Sequence, residues 1–401
     1  MPTRADVVVA QSANLTLNYT GGGVNKVIET PAGVRYQVYV NQASDVVFRK
    51  STDGGLTWAN EVTVFTGTAT ALAVFYDRWA GIAAGLIHCA YQESVTDDTL
   101  YRTINTESAD ALSTQTVILA GGTTLAGGCL AIARARGGNV YCATMIDAGT
   151  EGGFMRLLNA NVPNGAWDAA RTTVFEAETQ DQIILVPGFA ADNQDMIAIF
   201  WDASADEISR KLYDDSANSW GEASIATGMV DQAAATAFRH FDAVVDLTNS
   251  RIILIAWSAV DGANADLRCW TITESAITEV TPVVSNGTDD QGLCALALNI
   301  DNGDWIAFYG GKSDGSETYG TNINIYYKVS TDDGSTWGAE TLLTVAPASH
   351  SIKMILCPPR FSSAFGWLPP VCWINATASA VLLCNAPLPV QAIPIMQIGV
   401  V

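Results

Sequence analysis

The feature that most constrains the fold is a pattern of five residues, S-x-D-x-G-x-T-W, that occurs twice. The two copies are Ser51, Asp53, Gly55, Thr57, Trp58 and Ser330, Asp332, Gly334, Thr336, Trp337. Each copy lies between two β-branched and aromatic runs, which is typical of a turn between strands. The acid can accept hydrogen bonds from its own turn, the glycine permits positive φ, and the tryptophan can pack on neighbouring strands. The sequence therefore predicts a repeated strand–turn–strand unit.

The separation of the two copies predicts the size of the repeat. It corresponds to five intervals of about 56 residues, a reasonable size for a four-stranded sheet with its loops. A degenerate copy between them holds Asp215, Ser219 and Trp220 at pattern positions. Apolar strands recur with the same period and begin near Asn25, Ala71, Cys129, Gln182, His240, Cys294 and Ser351. We expect the N-terminal run VVVAQ to complete the last repeat and so join the two ends of the chain.

The pattern resembles the Asp box of the BNR-repeat, sialidase-like β-propellers. This resemblance implies an all-β fold in a single domain over residues 1–401, with four antiparallel strands in each blade. The recurring strands favour seven blades, and six blades, as in catalytic sialidases, is the alternative. The apolar tail 386–401 is interpreted as a closing strand or a docking segment.

Composition excludes several classes of function. The formal net charge is −21, so the chain repels nucleic acids and anionic membranes. No apolar run is long enough to cross a bilayer, and the first residues do not form a secretory signal. The eight cysteines lie mostly in apolar strands without a CxxC pair, so we expect small buried hydrophobes rather than disulfides, in a chain that folds in a reducing cytoplasm.

Candidate ligand-binding residues follow from the ends of the second strands, which carry aromatic residues and then acids. The set is Tyr91, Glu93, Asp147, Trp201, Asp202, Trp257, Asp261, Tyr309 and Trp373. One interpretation is a ring around the central mouth that stacks on sugars and accepts bonds from their hydroxyl groups. The other interpretation, which we favour for the aromatic residues, is packing between blades.

The sequence supplies no catalytic residue. The resemblance implies that an active sialidase would carry three arginines, a tyrosine paired with a glutamate, and an Arg-Ile-Pro motif. The nearest segment here is Val34-Arg35-Tyr36, which departs from that motif. The three histidines have no ligand spacing and no phosphate-binding or dinucleotide-binding motif occurs, so neither a metal site nor a cofactor is predicted.

These observations favour a non-catalytic propeller over an enzyme. The first hypothesis is a virion component, such as a phage tail, fibre or capsid-surface protein, that folds in the host cytoplasm. Its partners would be other virion proteins or host surface glycans, with no nucleic acid and no membrane insertion, and a homo-oligomer is left open. The alternatives are a sialidase-like glycoside hydrolase and a cytoplasmic scaffold that binds proteins.

Overall fold

The computed structural model describes most of the chain. The described residues are 6–10, 13, 26–81, 85–121, 130–147, 151–169, 171–175, 182–202, 207–227, 241–258, 266–285, 293–314, 316–317, 324–343, 352–366, 368–375 and 381–385. They form seven sheets, each built on four antiparallel strands that follow one another from the inside outward. We number the sheets as blades 1 to 7 in chain order. The predicted all-β propeller with four antiparallel strands in each blade is confirmed.

The first three blades take up the N-terminal part of the chain. Blade 1 contains β2 (Val27–Glu29), β3 (Arg35–Val40), β4 (Val46–Ser51) and β5 (Val62–Phe65). Blade 2 contains β6 (Ala69–Tyr76), β7 (Leu86–Glu93), β8 (Thr99–Asn105), β9 (Ala111–Leu112) and β10 (Thr116–Leu119). Blade 3 contains β11 (Ala131–Arg134), β12 (Val140–Asp147), β13 (Glu151–Leu157) and β14 (Thr172–Phe175).

The next three blades repeat this order. Blade 4 contains β15 (Gln182–Pro187), β16 (Met196–Asp202), β17 (Glu207–Asp214) and β18 (Ser219–Thr227). Blade 5 contains β19 (Phe241–Asp246), β20 (Arg251–Ser258), β21 (Asp266–Ile272) and β22 (Ile277–Val284). Blade 6 contains β23 (Cys294–Asn299), β24 (Trp305–Gly310), β25 (Ile325–Ser330) and β26 (Thr341–Leu342).

Blade 7 brings the two ends of the chain together. It contains β27 (Ile352–Leu356), β29 (Cys372–Asn375) and β30 (Val381–Asn385), and its outer strand is the N-terminal β1 (Asp6–Ala10). Val7 of β1 lies opposite Cys384 of β30, so the N-terminal strand completes the last blade as the sequence predicted. The tail 386–401 lies outside the described residues.

The loops that the structure describes contain three short 3-10 helices and one further strand. The helices are η1 (Asp77–Ala80), η2 (Asn159–Asn161) and η3 (Ser363–Phe365), and the strand is β28 (Arg360–Phe361), which pairs in parallel with β23. In the described part of the chain, no helix has the length and apolar character needed to cross a membrane.

Packing between neighbouring blades explains why several strands are buried along their whole length. Every residue of β3, β7, β23 and β24 is buried, because each sheet packs against another sheet on either side. The cluster that joins blades 7 and 1 contains Val9, Leu356, Val27 and Val47. The inner strands therefore follow the predicted periodicity, and the chain closes into a circle by burying these faces.

The two S-x-D-x-G-x-T-W segments form turns with the same hydrogen bonds. In the second copy Ser330 Oγ donates to Asp332 Oδ1 at 2.9 Å, and the Gly334 N–H donates to Ser330 Oγ at 2.8 Å. The backbone N–H and the hydroxyl group of Thr336 both donate to Asp332, at 2.9 and 2.6 Å. The corresponding four bonds of the first copy join Ser51, Asp53, Gly55 and Thr57. Both glycines have positive φ, as the turn requires.

The tryptophan that ends each pattern reaches the preceding blade. Trp337 Nε1 donates to the carbonyl oxygen of Thr281 in blade 5 at 2.9 Å. Trp58 packs against the cluster that joins blade 7 to blade 1. The pattern thus fastens one blade to the one before it, in addition to forming its own turn.

Candidate functional site

The five predicted aromatic residues are buried between blades. They are Tyr91, Trp201, Trp257, Tyr309 and Trp373. The Tyr91 hydroxyl donates to Gln115 at 3.0 Å, and the Tyr309 hydroxyl donates to Glu340 at 2.7 Å. These rings have no exposed face on which a sugar could stack, so in this structure they pack between blades.

The predicted acids that the structure describes each lie at the end of the second strand of their blade. Glu93 accepts bonds from the backbone N–H groups of Val95 and Thr96, and bonds from Thr96 lower its pKa although burial opposes this. Asp202 lies at the end of β16, opposite Glu207. Asp147 is opposite Glu151 at the end of β12, and Asp261 lies outside the described residues. Ligand binding at this end of the propeller stays a prediction.

A groove between blades 1 and 2 opens at the opposite end. Antiparallel strands alternate in direction, so the loops after first and third strands lie on one face and the other loops lie on the other face. The groove is lined by loops of the first kind and includes Pro31, Tyr36, Lys50, Tyr76, Arg78 and Glu107. Its empty volume is about 640 Å³, part of which is open solvent. We call it the blade 1–2 groove.

An ion pair between Arg78 and Glu107 forms the exposed wall of the groove. The two side chains are in direct contact at 2.5 Å and are 33% and 53% exposed. Glu107 lies against Gly85, where an added Cβ would come within 2.9 Å of the Glu107 Cγ. Gly85 has positive φ, and its carbonyl oxygen accepts bonds from the N–H and the hydroxyl of Thr106. Position 85 therefore requires glycine for two reasons: the backbone has positive φ, and a side chain would displace the Glu107 carboxylate.

Arg78 stands on η1, which is anchored by a buried polar network. Asp77 accepts bonds from the Leu86 N–H at 2.8 Å and from Arg134 at 2.6 Å. His88 Nε2 lies 3.2 Å from Asp77, and its Nδ1 lies 2.7 Å from the Tyr101 hydroxyl. Both partners of the Asp77–His88 pair are fully buried. This network fixes the turn from which Arg78 extends.

The protonation states follow from burial and partners. Burial disfavours the charged imidazole and lowers the pKa of His88, although the hydrogen bond to Asp77 opposes this. Burial also opposes ionisation of Asp77, but the bond from His88 and the charge of Arg134 outweigh it and lower the pKa of Asp77. A neutral His88 then donates a hydrogen bond from Nε2 to an ionised Asp77, and its Nδ1 accepts a hydrogen bond from the Tyr101 hydroxyl group. Every bond of the network is satisfied in this arrangement.

A second cluster lies beside the groove and crosses from blade 1 to blade 2. The Tyr36 hydroxyl donates to Asp110 at 2.5 Å, and Lys50 Nζ lies 2.8 Å from the other oxygen of Asp110. Burial, followed by the bond to Asp110, raises the pKa of Tyr36. These contacts hold Lys50 at the edge of the groove, where it is partly exposed.

The same arrangement recurs between blades 3 and 4. The Tyr141 hydroxyl donates to Asp215 at 2.8 Å, and Arg156 donates to the same carboxylate at 3.0 Å. The tyrosine and the acid are 74 residues apart in both clusters. We call each cluster an inter-blade latch, formed by a tyrosine on the second strand, a cation on the third strand and an acid from the following blade.

The groove meets the end of the central channel at Tyr76, which lines both. Burial raises the pKa of Tyr76 to about 12. The channel end has an empty volume of about 550 Å³, counting open solvent, and is mostly apolar apart from Glu29 and Arg360. Burial lowers the pKa of Arg360 to about 10.

Residues 358–366 follow β27, and the first three of them line this end of the channel. The Pro359 carbonyl oxygen accepts a bond from the Leu298 N–H of blade 6 at 2.8 Å. Phe365 packs against Gly33 of blade 1, where an added Cβ would approach its ring to 2.5 Å. The segment thus connects blade 7 to both of its neighbours.

Sequence reasoning missed the charged residues of the groove. Lys50, Arg78 and Glu107 are separated by 28 and 29 residues, and no local pattern connects them. The repeated spacing of 74 residues between the latch tyrosine and its acid could have located the blade joint. Within the described residues, no three His, Cys, Asp or Glu side chains are placed to hold a metal ion.

Comparisons with known proteins bear on the fold. No protein-family model and no curated protein matches the sequence. An ulvan lyase, a polysaccharide lyase bound to -[GlcA(1-4)Rha3S]-, is similar over 92% of this chain and 95% of that chain, with 9% identity and a TM-score of 0.54. A protein from Lactobacillus plantarum is similar over 85% of this chain and 88% of that chain, with 13% identity and a TM-score of 0.51. At these identities the likeness is one of fold alone, and it agrees with the β-propeller seen here.

Proposed function

We propose that the chain is a non-catalytic propeller that binds carbohydrate in the blade 1–2 groove. The observation that carries this proposal is the exposed Arg78–Glu107 pair beside Lys50 on a solvent-open groove. Each sugar hydroxyl both donates and accepts hydrogen bonds. A guanidinium next to a carboxylate offers complementary partners for two neighbouring hydroxyl groups. The fold shared with the ulvan lyase agrees with this proposal.

The groove is suited to a ligand of a few sugar rings. Its cavity volume of about 310 Å³ lies at the lower end of the range of about 300 to 1,000 Å³ that is usual for small-molecule sites. The buried Asp77–His88–Arg134 network holds the turn that carries Arg78, and the latch of Tyr36 and Asp110 holds Lys50. Groups held in place before binding lose little conformational freedom on binding, so weak polar contacts are sufficient for recognition.

The charges of the groove favour a neutral saccharide over a polyanion. Lys50 and Arg78 are balanced by Asp110 and Glu107. The net charge of −21 also repels a ligand that carries many negative charges. A uronate-containing sulfated polymer, the class bound to the ulvan lyase, is therefore the comparison ligand that we expect to bind more weakly.

The test is a glycan array followed by calorimetric titration of the best neutral oligosaccharide with the full chain. We expect Arg78→Ala and Glu107→Ala to weaken binding by about tenfold, the loss of one or two hydrogen bonds to charged groups. Arg268→Ala is the matched control, because Arg268 forms an equally direct pair with Glu279 on blade 5. Unchanged affinity in both groove variants, or no glycan bound by the array, would refute the proposal.

The setting of this activity is proposed to be the surface of a virion, where the propeller would bind host glycans or decorate the particle. The apolar tail 386–401 is the segment that would dock on another virion protein. Mass spectrometry of purified particles tests this setting independently of the groove. If the particles lack the chain, a cytoplasmic location replaces it and the carbohydrate proposal is judged by the binding data alone.

A further inference from the structure

Two cysteines lie directly opposite each other in the blade that closes the ring. Cys372 of β29 is paired with Cys384 of β30 in an antiparallel register. Other cysteines in the described strands lie opposite residues of other types. For example, Cys142 is opposite Ile132 and Met155, and Cys89 is opposite Val74 and Arg102.

Opposed residues of an antiparallel pair meet the geometric needs of a disulfide. Their Cα atoms are about 4.5 or 5.5 Å apart, depending on whether the pair is hydrogen-bonded, and both residues belong to the same face of the sheet. Disulfides join Cα atoms about 4.4 to 6.8 Å apart. The backbone of blade 7 therefore already has the spacing that the bond requires.

We propose that Cys372 and Cys384 form a disulfide when the chain folds in the presence of a small-molecule disulfide such as glutathione disulfide. One thiolate attacks a glutathione sulfur and releases one glutathione thiolate. The second cysteine thiolate attacks the resulting mixed disulfide, forms the Cys372–Cys384 bond and releases the second glutathione thiolate. The two cysteines are oxidised by two electrons, glutathione disulfide is reduced to two thiols, and the two cysteine protons go to the released thiolates or to buffer.

The position of the pair gives the bond a specific effect. β30 lies between β29 and the N-terminal β1, and Val7 of β1 is paired with Cys384 itself. Cys372 is buried in the cluster that joins blade 7 to blade 1. A disulfide between β29 and β30 fixes the position of β30, the strand that pairs with the N-terminal β1. It therefore stabilises blade 7, in which the two ends of the chain meet. Because Cys372 is fully buried, the bond forms during folding rather than in the closed propeller.

The experiment compares full chain refolded with glutathione disulfide and full chain refolded with dithiothreitol. Peptide mapping under non-reducing conditions should show the 372 peptide linked to the 384 peptide only in the first sample. The closed loop of about a dozen residues should raise the Tm by about 3 °C. Both results should disappear in Cys372→Ser and Cys384→Ser and persist in Cys142→Ser, another buried cysteine.

The peptide map of the unmutated chain decides the proposal even where a serine variant fails to fold. Full alkylation of both cysteines after oxidative refolding overturns it, as does a link from Cys372 to any other cysteine. The measurement is independent of glycan binding, so its failure leaves the proposed function unaffected.

Discussion

Removal of the Asp215 carboxylate tests whether the latches hold the blades together. Asp215 accepts bonds from Tyr141 and Arg156 and lies 3.4 Å from Arg171, and these groups are mostly buried. Each bond to a charged group contributes about 1.5 to 3 kcal/mol, and an unpaired acceptor or cation left behind adds a cost. Partial exposure of the cluster reduces the total, so we expect Asp215→Ala to lower the free energy of unfolding by about 3 kcal/mol.

Asp168 supplies a matched control on the same guanidinium. It contacts Arg156 at 2.7 Å but belongs to the same blade and is 32% exposed, whereas Asp215 is 17% exposed and belongs to the next blade. We expect Asp168→Ala to cost less than about 1 kcal/mol. A chain of 401 residues that unfolds as one unit has an unfolding entropy of about 0.8 kcal/mol per kelvin. The expected falls in Tm by calorimetry are therefore about 3 to 4 °C and about 1 °C, and equal shifts would refute the latch.

Two further predictions concern ionisable groups in turns and in the core. Hydrogen bonds from Thr57 and Ser51 lower the pKa of Asp53 to about 2 against the opposing effect of burial, so its stabilising contribution is complete above about pH 5 and is lost as the pH falls from about 4 towards 2. Asp53→Asn should flatten the acid limb of a plot of Tm against pH, and an unchanged limb would contradict this. The lowered pKa of His88 means that the unfolded chain binds a proton more readily, so stability falls as the pH drops below about 6.5. His88→Ala should remove that dependence and cost about 3 kcal/mol in urea unfolding, because it leaves a cavity and the buried Tyr101 hydroxyl without its acceptor, whereas a loss below 1 kcal/mol would show that the network is dispensable.

Turn chemistry explains how much of the fold could be predicted. The bonds of Asp332 and Ser330 span two to four residues, so the local sequence contains everything that the turn requires. The inner strands could be predicted from local sequence for the same reason. A strand that is buried on both faces is recognised in each repeat by its short apolar run. The N-terminal strand could be assigned to the last blade because an unpaired edge is otherwise exposed.

Long-range contacts explain why the sequence assigned the turn of the degenerate repeat to the wrong acid. The sequence placed Asp215 at the position of the turn acid. In the structure Asp214 accepts the turn bonds from Ser216 and Ala217, and Asp215 points to the preceding blade. The local sequence alone does not show which of the two adjacent acids forms the turn. The contact of Asp215 with Tyr141, 74 residues away, distinguishes their roles. The burial of the aromatic residues at the strand ends also depends on contacts with a neighbouring blade, which the local sequence does not contain.

The candidate site depends on the same long-range contacts. Arg78 and Arg136 each lie two residues beyond the inner strand of their blade, so a repeat-based reading treats them as equivalent. In blade 3 the guanidinium of Arg136 donates to the Phe189 carbonyl oxygen of blade 4. In blade 2 Arg78 instead pairs with Glu107 of its own blade at the solvent surface. One repeat position therefore bonds to the next blade at one joint and lines a solvent-open groove at another, and the neighbouring loop decides which. A propeller can acquire a binding site in this way without changing its framework, because the latch of Tyr36 and Asp110 already holds the joint.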